Sequence, residues 1–236
     1  MIADYYDEVW RTKLSLESYS TLERRWRSRW DFAVERVAPR SRVLDVASGD
    51  GVLGQMLQED KGCRVLGLEI SAYAREQAAR RGVASLACDI SQDPFPAEDG
   101  SFDAATLLCC LEHVLDPGHA LREAARCVKR GGRLYVTLPN AVTLKHRLSF
   151  AAGKLSPDLL HQNDGEGLHL RFFDYARDFD RFVAAQASTL RLVEKLPALK
   201  NPRRHGPVGR WLRTRALMAW PNLLAEYSHF AFEVRP

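Results

Sequence analysis

The stretch Val43-Leu44-Asp45-Val46-Ala47-Ser48-Gly49-Asp50-Gly51 constrains this chain more than any other. Val43 to Val46 reads as a buried strand carrying an acid, and the small residues after it as a tight turn. Val52, Leu53, Met56 and Leu57 then form the apolar face of an opening helix. A strand, a glycine-rich turn and a helix start in succession let backbone approach a bound ligand closely. The next strand-like run, Cys63–Leu68, closes on Glu69. In a nucleotide-binding unit an acid at that place faces ribose hydroxyls.

Two ligands compete for this turn. Gly49-x-Gly51-x-x-Gly54 matches the dinucleotide fingerprint, with Glu69 at the expected spacing of about 20 residues, which would mean NAD and hydride transfer. The charges oppose that. Asp50 lies between the two glycines, where a pyrophosphate would sit, and Asp45 points from the strand end into the same turn. Two carboxylates beside a dianion repel it by several kcal/mol at an effective dielectric of about 20. A ligand carrying a sulfonium and an ammonium group, S-adenosylmethionine (SAM), suits those acids.

The segment Asp45-Val-Ala-Ser-Gly49-Asp-Gly51, with Glu69 after it, resembles motif I and the ribose acid of the class I SAM-dependent methyltransferases. Ala47 stands where the family's first glycine falls, and Ser48 at the second small position. The resemblance implies that Asp45, Ala47, Ser48, Gly49 and Gly51 hold SAM and its product S-adenosylhomocysteine. It also implies that Glu69 and Ile70 face the ribose, that Asp89 meets the adenine amino group, and that Ile90 packs on the ring. Leu107 and Leu108, at the end of the fourth strand, complete that side.

Composition sets wide bounds. With 236 residues, 46% hydrophobic and 27% charged, the chain reads as one globular domain that buries a full core without disulfides or metal. No apolar run approaches the roughly 18 residues of a membrane span. The first residues, Met1 to Asp7, lack the basic and apolar regions of a secretory leader, so a cytoplasmic protein is expected. Cys63, Cys88, Cys109, Cys110 and Cys127 show no metal-ligand spacing and read as reduced, buried thiols. A net charge of +4 gives no reason to expect nucleic acid.

Taken in order, residues 1–38 read as a helical lid on a domain spanning 39–236. Tyr5, Tyr6, Val9 and Trp10, then Leu22, Trp26, Trp30 and Val34, line its apolar face, with arginines interleaved. Such helices often cover the cofactor in the resembled family, which makes Tyr6 and Arg25 further candidates for SAM contact. Ser71 caps a helix Ala72–Arg80, Ala84–Cys88 forms a third strand, and Phe102–Leu108 a fourth. Asp116 caps the next helix with Pro117 in its first position. Lys129-Arg130-Gly131-Gly132 is expected to stop that helix before a fifth strand, Arg133–Leu138. Phe179–Ala185 reads as a helix and Leu190–Glu194 as a strand. Tyr227–Val234 alternates as an antiparallel last strand. Strand and helix alternation implies an α/β sheet wound on both faces. The resemblance supplies its Rossmann-like form, with seven strands in the order 3-2-1-4-5-7-6.

Residues 141–170 and 196–222 read as insertions that shape an acceptor pocket. His113, following the fourth strand, is the first candidate for a base that takes the acceptor's proton. Asn140, His169 and Tyr175 are candidates for contact with the acceptor, whereas His146, His161 and His205 read as surface residues. The basic stretch 200–215 suits a solvated helix, an anionic acceptor, or peripheral contact with a membrane surface. The segments "LPNAVTLKHRLSF", "HLRFFDYARDFDRFV" and "NLLAEYSHFAFEVR" resemble methionine-biosynthesis protein W and its relatives. Two functions therefore stand. One is methyl transfer from SAM to an oxygen or nitrogen of a small molecule. The other is a SAM-binding accessory partner of an acyltransferase. A NAD-dependent dehydrogenase ranks third.

Overall fold

In β1, Arg42–Val46, alternation sends Val43 to one face of the sheet and Leu44 and Val46 to the other. All four residues from Val43 to Val46 are buried, as befits a strand covered on both sides. The computed structural model describes residues 2–16, 19–154, 170–171, 173–175, 185, 188–199 and 215–235, with backbone alone for 13–16 and 19–27. The remaining strands are β2 Arg64–Leu68, β3 Ala84–Leu86, β4 Phe102–Leu108, β5 Val128–Pro139, β6 Leu190–Ala198 and β7 Tyr227–Val234. They form one sheet in the order β3-β2-β1-β4-β5-β7-β6, parallel except that β7 runs antiparallel to both neighbours. This is the order and the antiparallel last strand expected from the sequence.

Helices close both faces. On one, α2 (Tyr19–Arg36) and α3 (Val52–Lys61) bring Trp30, Phe32, Ala33, Leu53 and Leu57 against Val43, Val65, Ala104 and Tyr135. On the other, α5 (Pro117–Cys127) packs Ala120, Leu121, Ala124 and Ala125 against Leu44, Leu107, Leu134 and Val136. Two caps expected from the sequence form as read. Ser71 accepts from the Ala74 backbone N–H to start α4, Ala72–Arg80. Asp116 accepts from His119, with Pro117 in the first turn of α5.

The expected single lid helix is two helices with different jobs. α1, Ile2–Leu16, docks on the start of α4: Asp7 accepts from the Ser71 hydroxyl at 2.5 Å and from Tyr73 N–H at 3.1 Å, and Arg11 lies 4.4 Å above the Tyr73 ring. The Ser71 hydrogen bond holds the Asp7 carboxyl below its ordinary range. α2 instead belongs to the core. Arg36 grips Glu194 of β6 through Nε and Nη2 at 2.6 and 3.0 Å, and Phe32 stacks on His229 at 4.5 Å. Burial pushes His229 down to about 3, so it stays neutral beside the Thr137 hydroxyl.

Three boundaries differ from expectation. α5 ends at Cys127 and β5 begins at once, running through Lys129–Gly132. Gly132 approaches the Asp103 and Lys129 carbonyls so closely that a Cβ would collide with them, and the β4–β5 register slips between Phe102 and Ala104. The glycine pair therefore serves a bulge within a strand, not a loop. β6 extends to Ala198 because its whole length pairs with β7, which removes 196–198 from the expected insertion. The expected third strand is shorter, ending at Leu86. The helix expected over 179–185 lies outside the described residues, except for residue 185 in a turn.

Candidate functional site

The turn after β1 is built from left-handed backbone. Ala47, Gly49 and Gly51 take φ values of 56°, 56° and 81°. Two of these positions are glycine, where the conformation is easily adopted; Ala47 is not, and a Cβ there costs about 1–2 kcal/mol. Ala47→Gly is accordingly expected to raise stability by about 1 kcal/mol, offset in part by the greater freedom of glycine in the unfolded chain. Thermal melts of the two proteins check this, and a lower melting temperature in the variant would contradict it.

Glu69 lies just beyond β2 and ties this turn to the next. Its Oε2 accepts from Gly49 N–H and its Oε1 from Ser71 N–H, both at 2.9 Å. Asp45, 3% exposed, accepts the Thr106 hydroxyl at 2.6 Å. Burial pushes the Asp45 carboxyl up to about 7, with Glu69 adding to the rise while Thr106 and Arg29 oppose it. Asp50 is also buried, but it pairs with Arg81 at 3.3 Å. Arg81 offsets part of that charge, and Asp50 still lines the same cavity as Asp45.

These groups open into a cavity of about 790 Å³ at the carboxyl ends of the parallel strands, a volume within the range of small-molecule sites. Asp45, Ala47, Ser48, Gly49, Glu69, Ile70, Asp89, Ile90, Leu108, Tyr6, His113 and Asn140 all line it. Asp89 is held by Ser91 and Gln92, which donate to its two oxygens. Tyr6 reaches in from α1; burial, aided by the carboxylates of Glu69, Glu112 and Asp89, raises its hydroxyl so that it remains a donor. His113 Nε2 lies 3.9 Å from Glu112 Oε1.

Three expected contacts fall elsewhere, and a fourth lies in the cavity but is engaged with backbone. Leu107 points into the core beneath α5, since strand alternation gives the cavity Leu108 instead. Gly51 starts α3 and packs on Ala78 and Val83, where a Cβ would not fit. Tyr175 lies outside the cavity with Lys195 Nζ 4.6 Å above its ring. Asn140 lines the cavity, but its side chain binds backbone: Nδ2 donates to Ala225 and Asn222 carbonyls and Oδ1 accepts from Val142. His169, the Arg25 side chain and the basic stretch 200–214 lie outside the described residues.

The cavity also holds residues that the sequence did not single out. Arg29, one helical turn beyond Arg25, lines it near Asp45. Trp10 lies over Gly49 so tightly that a Cβ at the glycine would collide with the indole. His146, Phe173, Leu223, Leu224 and Tyr227 form the opposite wall. The apolar pattern of α1 marked Trp10, whereas His146, expected at the surface, is only 9% exposed, because the turn after β5 folds it against the Ala141 carbonyl at the cavity. Among the described residues no helix is long and apolar enough to cross a membrane, and no group of three or more His, Cys, Asp or Glu is placed to hold a metal ion.

Comparison with known proteins gives a consistent picture. Residues 44–136 match the family model described as a methyltransferase domain. Demethylmenaquinone methyltransferase of Thermus thermophilus is 42% identical over 120 residues, covering 48% of this chain and 53% of that protein. Ubiquinone/menaquinone biosynthesis C-methyltransferase UbiE of Xanthomonas campestris pv. campestris is 34% identical over 152 residues, 58% of each. The chain thus spans a little over half the length of these curated relatives. A chain in the complex of the Haloferax volcanii Trm112 methyltransferase activator with a methyltransferase superposes with a TM-score of 0.67. It is 19% identical, over 98% of this chain and 99% of that one, a likeness of fold.

Proposed function

We propose that this chain, whose residues 44–136 match the methyltransferase-domain model, is a class I SAM-dependent enzyme that moves a methyl group from SAM to a small-molecule acceptor. One observation carries the reading: one cavity joins the buried acids at the strand ends to loop residues beyond them, where Leu170, Phe173, Leu223 and Leu224 lie with Lys145, Arg171 and Glu226. The acids fit the cofactor. Asp45, pushed up to about 7 by burial, is drawn to its charged form by an ammonium or sulfonium group bound beside it, and the Glu69 carboxylate, which accepts the Gly49 and Ser71 N–H groups, lines the cavity where it can meet a ribose hydroxyl. Asp89 and Ile90 serve the adenine, and Tyr6 and Arg29 close the cofactor half from the N-terminal helices.

SAM supplies a methyl group already activated on a sulfonium, with a neutral thioether as leaving group. The protein's task is alignment, worth up to about 7–11 kcal/mol. His113 takes the acceptor's proton, with the Glu112 carboxylate favouring the imidazolium that results. A base of this kind serves oxygen and nitrogen acceptors, and also carbon when an ionised enol or phenol carries the charge to it. The relatives do not restrict the acceptor to oxygen or nitrogen: one is named a C-methyltransferase and another an O-methyltransferase. Residues after Asn140, with those near 223–227, shape the acceptor half.

The test uses methyl-deuterated SAM with an extract of small metabolites. Protein-dependent appearance of the label in a small molecule is expected, falling at least tenfold in His113→Ala with SAM affinity unchanged. Calorimetric binding of SAM without any label transfer would favour the accessory role implied by the protein W resemblance. Binding of NAD in place of SAM would overturn both.

A further inference from the structure

The loop that carries His113 is held on both sides of the histidine by the chain at Leu170 and Arg171. Leu170 N and Arg171 N donate to the Glu112 carbonyl at 2.8 and 3.0 Å. Arg171 Nη2 donates to the Leu115 carbonyl at 2.7 Å. The Arg171 side chain is thereby laid along the 112–115 loop, and it lines the cavity with Glu112, His113 and Leu115. One carbonyl occupies only part of a guanidinium, whose other N–H donors stay available in a plane that the Leu115 bond fixes.

The other charges on this side are accounted for. Glu112 is 1% exposed, with Oε1 3.9 Å from His113 Nε2. Lys145 and Glu226 line the same cavity, opposite in sign and each with contacts of its own. Arg171 is exposed, and among the described residues no carboxylate pairs with it. Leu115 and Leu170, both exposed, border it at the cavity. A planar cation between apolar side chains, at the opening of a pocket, matches an apolar body that ends in two or three oxygens sharing a negative charge.

We propose that Arg171 anchors an oxyanion of the acceptor, a carboxylate or a phosphate monoester carried on an apolar body, and so sets the reacting atom against His113. This rests on the methyltransferase reading of the cavity. Arg171 meets a part of the acceptor that does not react, and the binding energy gained there orients the end that does. Its selectivity is moderate, because an exposed guanidinium is screened by water and salt.

The probes are benzoate, phenyl phosphate and the neutral benzamide, titrated at neutral pH into protein saturated with S-adenosylhomocysteine. Wild type is expected to bind at least one anion about tenfold more tightly than benzamide, the equivalent of about 1.4 kcal/mol. The tighter of the two anions names the group. Added salt should weaken the anions and leave benzamide unchanged. Arg171→Gln should bring all three probes to equal affinity, and Arg171→Lys should keep part of the preference. Benzamide binding as tightly as the anions in wild type, an anion preference that survives in Arg171→Gln, or failure of every probe to bind would overturn the assignment. Loss of S-adenosylhomocysteine affinity in Arg171→Gln at an unchanged melting temperature would move the guanidinium to the cofactor and overturn it as well. Should wild type fail to bind S-adenosylhomocysteine, the methyltransferase reading falls and this anchor with it; should it bind that ligand without preferring an anion, the anchor alone falls.

Discussion

Asp45→Asn is expected to make the ligand-free protein more stable at pH 8 while abolishing SAM binding. The folded-state carboxyl titrates at about 7 and the unfolded one near 3.8, chiefly because the group is buried. Between those values the folded protein holds a proton that the unfolded chain has released. Stability therefore falls as pH climbs through that window and stays low above it. A shift of this size corresponds to about 4 kcal/mol as an upper bound, so asparagine should recover about 2–4 kcal/mol at pH 8. For a chain of this length that is a rise of several degrees in melting temperature. The asparagine oxygen still accepts the Thr106 hydroxyl, whereas its NH2 adds two donors at a buried position, which trims the gain. The gain should shrink steadily towards pH 4. Melts of both proteins across pH 4 to 8 decide the matter, and a pH-independent difference would sink the account. Loss of the charge removes the partner of the ligand's cationic groups, and SAM affinity should drop by at least a hundredfold. Stability and function are opposed at this one atom pair.

Glu69→Gln should act with the opposite sign on the fold. The carboxylate is buried, and each oxygen receives one backbone N–H. Glutamine offers one oxygen and one NH2, so either Gly49 or Ser71 is left facing a second donor. A buried N–H without an acceptor costs about 1–3 kcal/mol, and the other bond loses its charge assistance. Melting temperature should therefore fall by several degrees at every pH where Glu69 is ionised. The ribose partner is weakened as well, so SAM affinity should fall alongside. Glu69 also raises the Asp45 carboxyl, which gives the variant a second signature: Asp45 should titrate lower than in wild type. Calorimetry in buffers of different ionisation enthalpy reads that proton directly. A Glu69→Gln protein as stable as wild type would show that the two N–H bonds contribute little.

Most of the parallel sheet could be read from the chain because its signals are local. Phe102–Leu108 and Tyr227–Val234 form over the residues expected, and Ser71 and Asp116 cap the helices they were read to cap. The glycine-rich turn reads equally well, since left-handed backbone leaves its mark in residue type. Lys129–Gly132 misled for a physical reason: glycine there admits a close strand neighbour, an effect set by Asp103 some thirty positions earlier. Arg29 was passed over in favour of Arg25 because interleaved arginines do not say which azimuth of a helix meets the cavity. His146 is a different case. Its burial depends on Asn140 holding Ala225 and on Phe173 meeting Ala141, and neither pairing has a local spacing that a reader of the chain could recognise. Strand-end acids announce themselves, whereas a wall assembled from distant loops does not.

The way that wall is fastened has a consequence for how such a protein could diversify. Leu170 and Arg171 hang from the Glu112 carbonyl by two N–H bonds, and the chain after β5 is pinned by backbone contacts through Asn140. Neither attachment uses a side chain of the segment between them. The described part of the intervening stretch, residues 143–154, can therefore be exchanged like a cassette, with both anchors and the cofactor half left in register. A lineage built this way can change what it modifies without renegotiating the machinery that does the modifying.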